Sequence, residues 1–361
     1  MDKGEAAAVA EQKREHIHRI AETIPEHINL MEVCGTHTVQ IRKHGIHSML
    51  PENIHLISGP GCPVCVTPSS YIDNALQLLE NENVSIATFG DMVKVPGTKG
   101  TSLSYYMGSD SLHILYSPME LLGLAAESTK DIVFLGIGFE TTIPTIASVF
   151  LRAFDAGIDN LSLYPAFKTI SPALRALLQD EESDFQGFIL PGHVSVIIGE
   201  QAYSFLETEY GFPGVITGFE ALDILSGVES LLMLIAGKKY AVKNCYTRAV
   251  RPEGNKKALA VMNRFLEPCD TQWRGLGLIK RSGMGIRSEY EALDAVKRYS
   301  LPDLKQHDPP GCLCGRVIQG KASPQECKHF GTRCTPEQPI GPCMVSFEGT
   351  CAAYLRYGAI V

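Results

Sequence analysis

Short runs of consecutive apolar residues recur along the chain, each followed by a Gly-rich or polar loop and often by a segment with helical spacing. INLMEV (28–33) leads into CGTH, IHLISG (54–59) into PGCPVCVTP and the helical YIDNALQLLEN, and VSIATFG (84–90) into DMVKVPG. DIVFLGIG (131–138) leads into FETT and the helical IASVFLRAFDAG, and FQGFILPG (185–192) into HVSVIIGEQAYSFLE. PGVITG (213–218) leads into FEALDILSGVESLL. The continuous apolar character of DIVFLGIG fits a strand buried on both faces. The alternation of apolar runs with helices predicts βαβ units in a mainly parallel sheet. The expected class is α/β, with one domain over residues 30–125 and a similar one over 126–245. Residues 5–22 have the spacing of an amphipathic helix ending before Pro25.

The unusual residues all fall immediately after strands, where open α/β sheets place their ligand sites. CGTH, GPGCPVC, FGDM, GFETT, PGHVS and TGFE are therefore expected to converge on one edge or in a cleft between the two domains. After about residue 245 the pattern changes. RPEGNKKALAVMNRFLEPCD predicts a helix and a turn, and WRGLGLIKRSGMGIRSEYEALDAVKRY a Gly-containing strand or loop and then a helix. Beyond Leu301 the chain is rich in Pro, Gly and Cys and poor in large apolar residues, so something other than hydrophobic burial must organise it. This defines a third, Cys-rich domain over 246–361.

Of the 361 residues, 45% are hydrophobic and 20% charged, a balance that supports folded cores. The formal net charge of −8 and the lack of a basic run argue against nucleic acid as a partner. The N-terminus is charged throughout, and apolar runs such as SLLMLIAG (230–237) fall far short of the roughly 20 residues that cross a bilayer. A cytoplasmic protein without membrane insertion is expected. That setting gives weight to the eleven cysteines, which in a reducing compartment imply metal or redox chemistry more readily than a disulfide framework.

Six of them, Cys312, Cys314, Cys327, Cys334, Cys343 and Cys351, crowd the C-terminal segment. Only Cys312 and Cys314 are as close as a zinc knuckle requires, so the wide spacing favours an iron–sulfur cluster over structural zinc. Spacing alone does not choose between Cys312 and Cys314. Cys62 and Cys65 form a C-x-x-C between a strand and a helix, where thiolates gain from the helix N-terminus and two sulfurs can pair or share a metal. Cys34, with His37 three residues on, suits either an activated nucleophile or a ligand pair, or else simple core. Asp91, Glu140, Thr141, Thr142, His193, Ser195 and Glu220 supply polar groups on the other loops. Each also has a plain structural role open to it, such as a helix N-cap. No phosphate loop is present, and GIGFETT lacks the third glycine of a dinucleotide fingerprint.

Taken together, CGTHT (34–38), LISGPGCPVCVTP (56–68), FGDM with VPG (89–97), GFETT (138–142), PGHVS (191–195) and CMVSFEGTCAAY (343–354) resemble the HypD family, in order and over almost the whole chain. Lys94 stands where the family is expected to have arginine. The family's C-x14-C-x6-C-x16-C pattern selects Cys312, Cys327, Cys334 and Cys351 as ligands of a 4Fe-4S cluster. Cys314 and Cys343 are left as a redox-active pair beside it, similar to ferredoxin:thioredoxin reductase. The resemblance implies two similar α/β domains with a cleft between them and a third domain carrying the cluster, joined by the N-terminal helix within 1–29.

The resemblance further implies an assembly scaffold for nickel–iron hydrogenase rather than a conventional turnover enzyme. With the HypC chaperone such a protein holds iron while two cyanides and a carbon monoxide are attached. HypE delivers the cyanide, with HypF upstream, and the unit passes to the hydrogenase large subunit. On this reading Cys34 and Cys65 hold the assembling iron, Cys34 jointly with a HypC cysteine, and His37 supports that site. Cys62 and Cys65 act as a dithiol/disulfide fed with electrons from the cluster through Cys314 and Cys343. Asp91, Thr141 and His193 line the cleft and bind cyanide or move protons. A competing reading is an iron–sulfur thiol–disulfide reductase acting on a protein disulfide, and a third is a zinc-stapled binding module.

Overall fold

The central strands of the two larger sheets form where the chain is mostly apolar, because both of their faces are covered. The computed structural model describes residues 3–24 and 26–358. Its strands are β1 (Ile28–Glu32), β2 (Ile54–Ser58), β3 (Val84–Phe89), β4 (Leu112–Leu115), β5 (Asp131–Gly136) and β6 (Leu161–Pro165). They continue with β7 (Gly187–Pro191), β8 (Gly214–Thr217), β9 (Val242–Asn244), β10 (Leu266–Trp273) and β11 (Gly277–Ile286). Among the described residues these make a five-stranded sheet in the order β2-β1-β7-β8-β9, a four-stranded sheet in the order β4-β3-β5-β6, and the hairpin β10-β11. Both larger sheets are parallel throughout, as the α/β class requires, and the hairpin is antiparallel.

The sheets do not divide the chain consecutively at residues 125 and 126. β1 and β2 pair with β7 to β9, with Leu30 opposite Gly187, while everything from β3 to β6 builds the other sheet. The chain thus leaves the first sheet after β2, completes the second, and returns. The expected 246–361 unit is also split. Helix Lys256–Phe265 packs on helix Ile143–Asp155, with Phe265 stacked on Phe150, and Thr169 N–H donates to Ser282 O of β11. Residues 256–286 therefore cover the four-stranded sheet, and only the segment beyond about 300 forms a Cys-rich lobe. Phe265 runs directly into strand β10 rather than into a turn.

The N-terminal helix Lys3–Ala21 docks away from that lobe, correcting the expected junction. Its Ile17 joins Ile224, Leu225 and Val228 of helix Ala221–Ala236 in one cluster, and Lys13 Nζ and His16 Nδ1 meet Glu229 at 2.7 and 2.5 Å. Pro25 lies outside the described residues. The largest core runs between the two sheets, from Met31, Phe188 and Ile216 to Val84, Val133 and Tyr164, and it takes in Cys62, Cys65, Cys314 and Cys343. The sulfur-bearing loops are thus seated on the core between the two sheets. Among the described residues no helix is long and apolar enough to cross a membrane.

Candidate thiol and metal site

β1, β2, β7 and β8 are parallel, so the loops after them leave the same edge of the sheet. Cys34 follows β1 as the N-cap of helix Gly35–Lys43. Its neighbour Gly35 donates N–H to Gly61 O at 3.1 Å. A Cβ on Gly61 would lie 2.4 to 2.6 Å from the Cys34 backbone, so only glycine lets the two loops touch. That contact brings the C-x-x-C turn against Cys34. Cys62 caps the short helix Pro63–Val66 and forms a disulfide with Cys65.

Carboxylates surround Cys34. Glu32, at the end of β1, accepts the Cys34 N–H at 3.2 Å and the Thr38 hydroxyl. Glu348 accepts the Thr36 hydroxyl at 2.6 Å, and two residues earlier Ser346 donates to Asp91 at 3.3 Å. The Cys-rich lobe therefore closes over both the CGTH and FGDM loops. Burial pushes the Cys34 thiol up to about 12, with the Glu348 charge adding to it and the Thr36 and His37 N–H groups opposing. Burial likewise raises Glu32 to about 8 against its bonds from Thr38 and Ser58. Cys34 is held as a neutral thiol rather than an activated thiolate, and a metal entering there must displace a proton.

His37 is buried and its Nε2 lies 2.9 Å from Gly218 O. A carbonyl only accepts, so Nε2 carries the proton and Nδ1 keeps its lone pair, buried and without a partner. Burial lowers the His37 pKa to about 4, so the ring stays neutral. Phe219 stacks on both His37 and His193, at ring distances of 4.7 and 3.9 Å. Ser195 donates to Pro191 O at 2.7 Å and meets the Tyr203 hydroxyl at 3.1 Å. Glu140 accepts Ile170 N–H through one oxygen, the other is buried without a partner, and burial raises its pKa to about 7. Glu220 takes the plain structural role, as the N-cap of helix Ala221–Ala236 in a reciprocal capping box with Asp223. Thr141 is exposed on the loop before helix Ile143–Asp155, and Thr142 is that helix's N-cap.

In the lobe, Cys312, Cys314, Cys327, Cys334, Cys343 and Cys351 all line one cavity, together with Phe330 and Met344. Among the described residues no three His, Cys, Asp or Glu side chains already converge on one metal-sized point. Cys314 and Cys343 are closest, with sulfurs 2.7 Å apart. Hydrogen bonds from Cys312 and Cys343 hold Cys314 well below the ordinary thiol range, and the Arg274 charge adds to this.

Glu32, Lys168 and Arg274, which are buried, and Glu348, which is half-buried, were not singled out from the sequence. Glu32 is the one charge in the largely apolar INLMEV and Lys168 the one charge in YPAFKTI, and an isolated charge in such a run is the signal that marks them. Lys168 is fully buried, bonds Thr271 Oγ1 at 2.9 Å, and has its pKa lowered by burial to about 7. Arg274 and Glu348 sit in Gly-rich loops, where the sequence gives no such contrast.

Two parallel α/β sheets, with thiols, imidazoles and carboxylates on the loops after their strands and a six-cysteine lobe closed over them, define a protein organised around clustered thiols. Comparison with known proteins gives the family. The HypD family pattern, described as the hydrogenase formation hypA family, matches residues 8–358. The chain is 39% identical to hydrogenase maturation factor HypD of Escherichia coli over 349 residues, 96% of this chain and 94% of that protein. It is 38% identical to a putative hydrogenase expression/formation protein of Methanocaldococcus jannaschii over 354 residues, 98% of each. With HypD of Azotobacter vinelandii the identity is 40% over 337 residues, 91% of this chain and 89% of that one. The chain belongs to the HypD family.

Proposed function

We propose that the chain is a nickel–iron hydrogenase maturation factor acting as an assembly scaffold in the cytoplasm. With a HypC-type chaperone it holds an iron atom as cargo while cyanide and carbon monoxide are attached. A HypE-type protein, with HypF upstream, donates the cyanide, and the finished unit moves to the hydrogenase large subunit. The observation that carries this reading is the backbone contact between Gly61 and Cys34, which brings a buried single thiol and a C-x-x-C pair together at the edge of the sheet. Soft thiolates suit an iron with π-acceptor ligands. Cys34 is the first donor from this chain, and Cys65 a second once its bond to Cys62 is open. His37, kept neutral by burial, is assigned to supporting that site. Asp91, Thr141 and His193 are assigned to binding cyanide or moving protons at the rim.

The lobe fits a resident 4Fe-4S cluster. Six soft thiols lining one apolar space are the donor set an iron–sulfur cluster takes, and more than the four ligands of a structural zinc ion. Cys312, Cys327, Cys334 and Cys351 would hold the cluster, with Cys314 and Cys343 as the neighbouring redox pair. When bound it supplies electrons singly. A second reading, an iron–sulfur thiol–disulfide reductase, draws on the disulfide at Cys62–Cys65 packed near the close Cys314–Cys343 pair. Steady-state reduction of a protein disulfide without a HypC-type partner would favour it. Host cells lacking the chain test the main proposal. Their hydrogenase large subunit is expected to accumulate inactive and without its iron–diatomic unit, and full hydrogenase activity contradicts the proposal.

A further inference from the structure

An open cleft of about 620 Å3 separates the Cys-rich lobe from the loop that joins β3 to β4, and the assembly role above does not use it. Lys94, Ser102 and Ser104 line it from that loop, and Thr332, Arg333 and Glu337 from the lobe. Lys94 and Arg333 are both exposed, and among the described residues neither enters an ion pair. The Glu337 carboxylate is held by its own N–H and the Thr335 side chain, and it feels the Lys94 charge from across the cleft. Beside Ser104, whose hydroxyl meets that of Ser102 at 2.7 Å, Tyr105 is 84% and Met107 57% exposed. Exposed aromatic and Met side chains beside an arginine have the composition of a protein interface.

The cleft reaches close to the six-cysteine cavity. Arg333 directly precedes Cys334, and Ile340, also on the cleft wall, donates its N–H to Cys334 Sγ at 3.3 Å. One residue therefore separates the cleft from a sulfur that lines the cavity. The charge balance is local to this end of the molecule. From residue 311 to 358 five Lys and Arg stand against three Glu, although the whole chain carries a formal −8. At physiological salt, charges beyond about 8 Å are largely screened, so a docking partner responds to the cations it touches rather than to the net charge.

We propose that this cleft docks an acidic single-electron carrier protein, whose carboxylates meet Lys94 and Arg333 and whose redox centre comes to rest beside Cys334. Electron transfer slows steeply with distance, so a carrier must dock where least protein covers the acceptor. No bond forms or breaks: the carrier is oxidised by one electron and the lobe is reduced by one. The inference rests on the redox role proposed above for the lobe and adds the class of partner that supplies it, but its test reads binding and needs no hydrogenase.

Oxidised flavodoxin, a strongly acidic one-electron carrier, is titrated calorimetrically into the anaerobically purified full chain at low ionic strength. Iron and acid-labile sulfide are measured on the same preparation. The native chain is expected to bind, and to lose about tenfold in affinity between roughly 20 and 200 mM salt. Lys94→Glu and Arg333→Glu are each expected to weaken binding about tenfold, and Glu337→Gln to tighten it about twofold. Lys280→Glu, the same charge change at an exposed position of β11, stays within about twofold of the native affinity. If either reversal in the cleft does not fold, the sign of the Glu337→Gln shift decides. No binding by the native chain, or an equal loss in Lys280→Glu, overturns the assignment. Binding without sulfide upholds the docking face and sinks the cluster reading, and sulfide without binding does the reverse.

Discussion

Replacing Glu32 with glutamine tests the electrostatics of the buried site through stability. The carboxyl is 2% exposed and accepts the Cys34 N–H at 3.2 Å as well as the Thr38 hydroxyl. Burial moves its pKa from 4.5 to about 8. The folded chain therefore binds this proton more tightly than the unfolded chain does. Its contribution is fully present below pH 4.5 and is lost as the pH rises towards 8. A gap of roughly 3.5 units at about 1.36 kcal/mol each is on the order of 4 to 5 kcal/mol across that window. Glutamine has no such dependence but sets an amide N–H where an oxygen accepted, losing about 1 to 2 kcal/mol. The two proteins should cross in urea unfolding. Glu32→Gln is expected to be less stable at pH 4, by about 1 to 2 kcal/mol, and more stable at pH 8.5, by about 2 to 3 kcal/mol. Glu140 adds a slope of the same sign, whereas His37 below its unfolded pKa and Lys168 above pH 7 add opposite ones, so the wild-type-minus-variant difference is the quantity to read. Parallel stability profiles for the two proteins across this range would refute the reasoning.

The same geometry leads to three further outcomes. Glu348→Gln removes the largest charge acting on the buried Cys34 thiol and should speed its alkylation by iodoacetamide about threefold at pH 8.5, whereas an unchanged rate contradicts it. Gly61→Ala puts a Cβ into the Cys34 backbone and should cost about 1 to 3 kcal/mol while exposing Cys34 to alkylation, and a neutral effect in urea unfolding counts against the loop contact. Lys168→Met should stabilise the chain at pH 6 by about 1 to 2 kcal/mol, because the native protein must carry a buried ammonium there, and the gain should shrink by pH 9. A gain that grows with pH would exclude burial as the cause of the lysine's shift.

The strands most legible in the sequence are those buried on every side. IVFLG and GFILP read as strands because no position in them faces water. Which strands pair is not local information: β1 lies beside β7, more than 150 residues on, and apolar runs in parallel sheets carry no mark of their neighbours. β10 was hidden because EPCDTQ is polar on its exposed face and its pairing slips between Cys269 and Thr271. The N-terminal helix shows its apolar face in the sequence but not what covers it. Cys34, Cys62 and Cys65 stood out at the site by residue type, and the glycines beside them marked a close approach without saying to what. Glu348 and Arg274 were missed because their importance lies in contacts made across the fold, to Thr36 and to Thr67.

The central claim, that Cys34 is this chain's ligand to the assembling iron, is tested most directly by infrared spectroscopy of the anaerobic complex with its HypC-type partner. The native complex is expected to show the stretching bands of iron-bound cyanide and carbon monoxide, and the Cys34→Ala complex to lack them while still forming. Bands of full intensity in the Cys34→Ala complex would contradict the account.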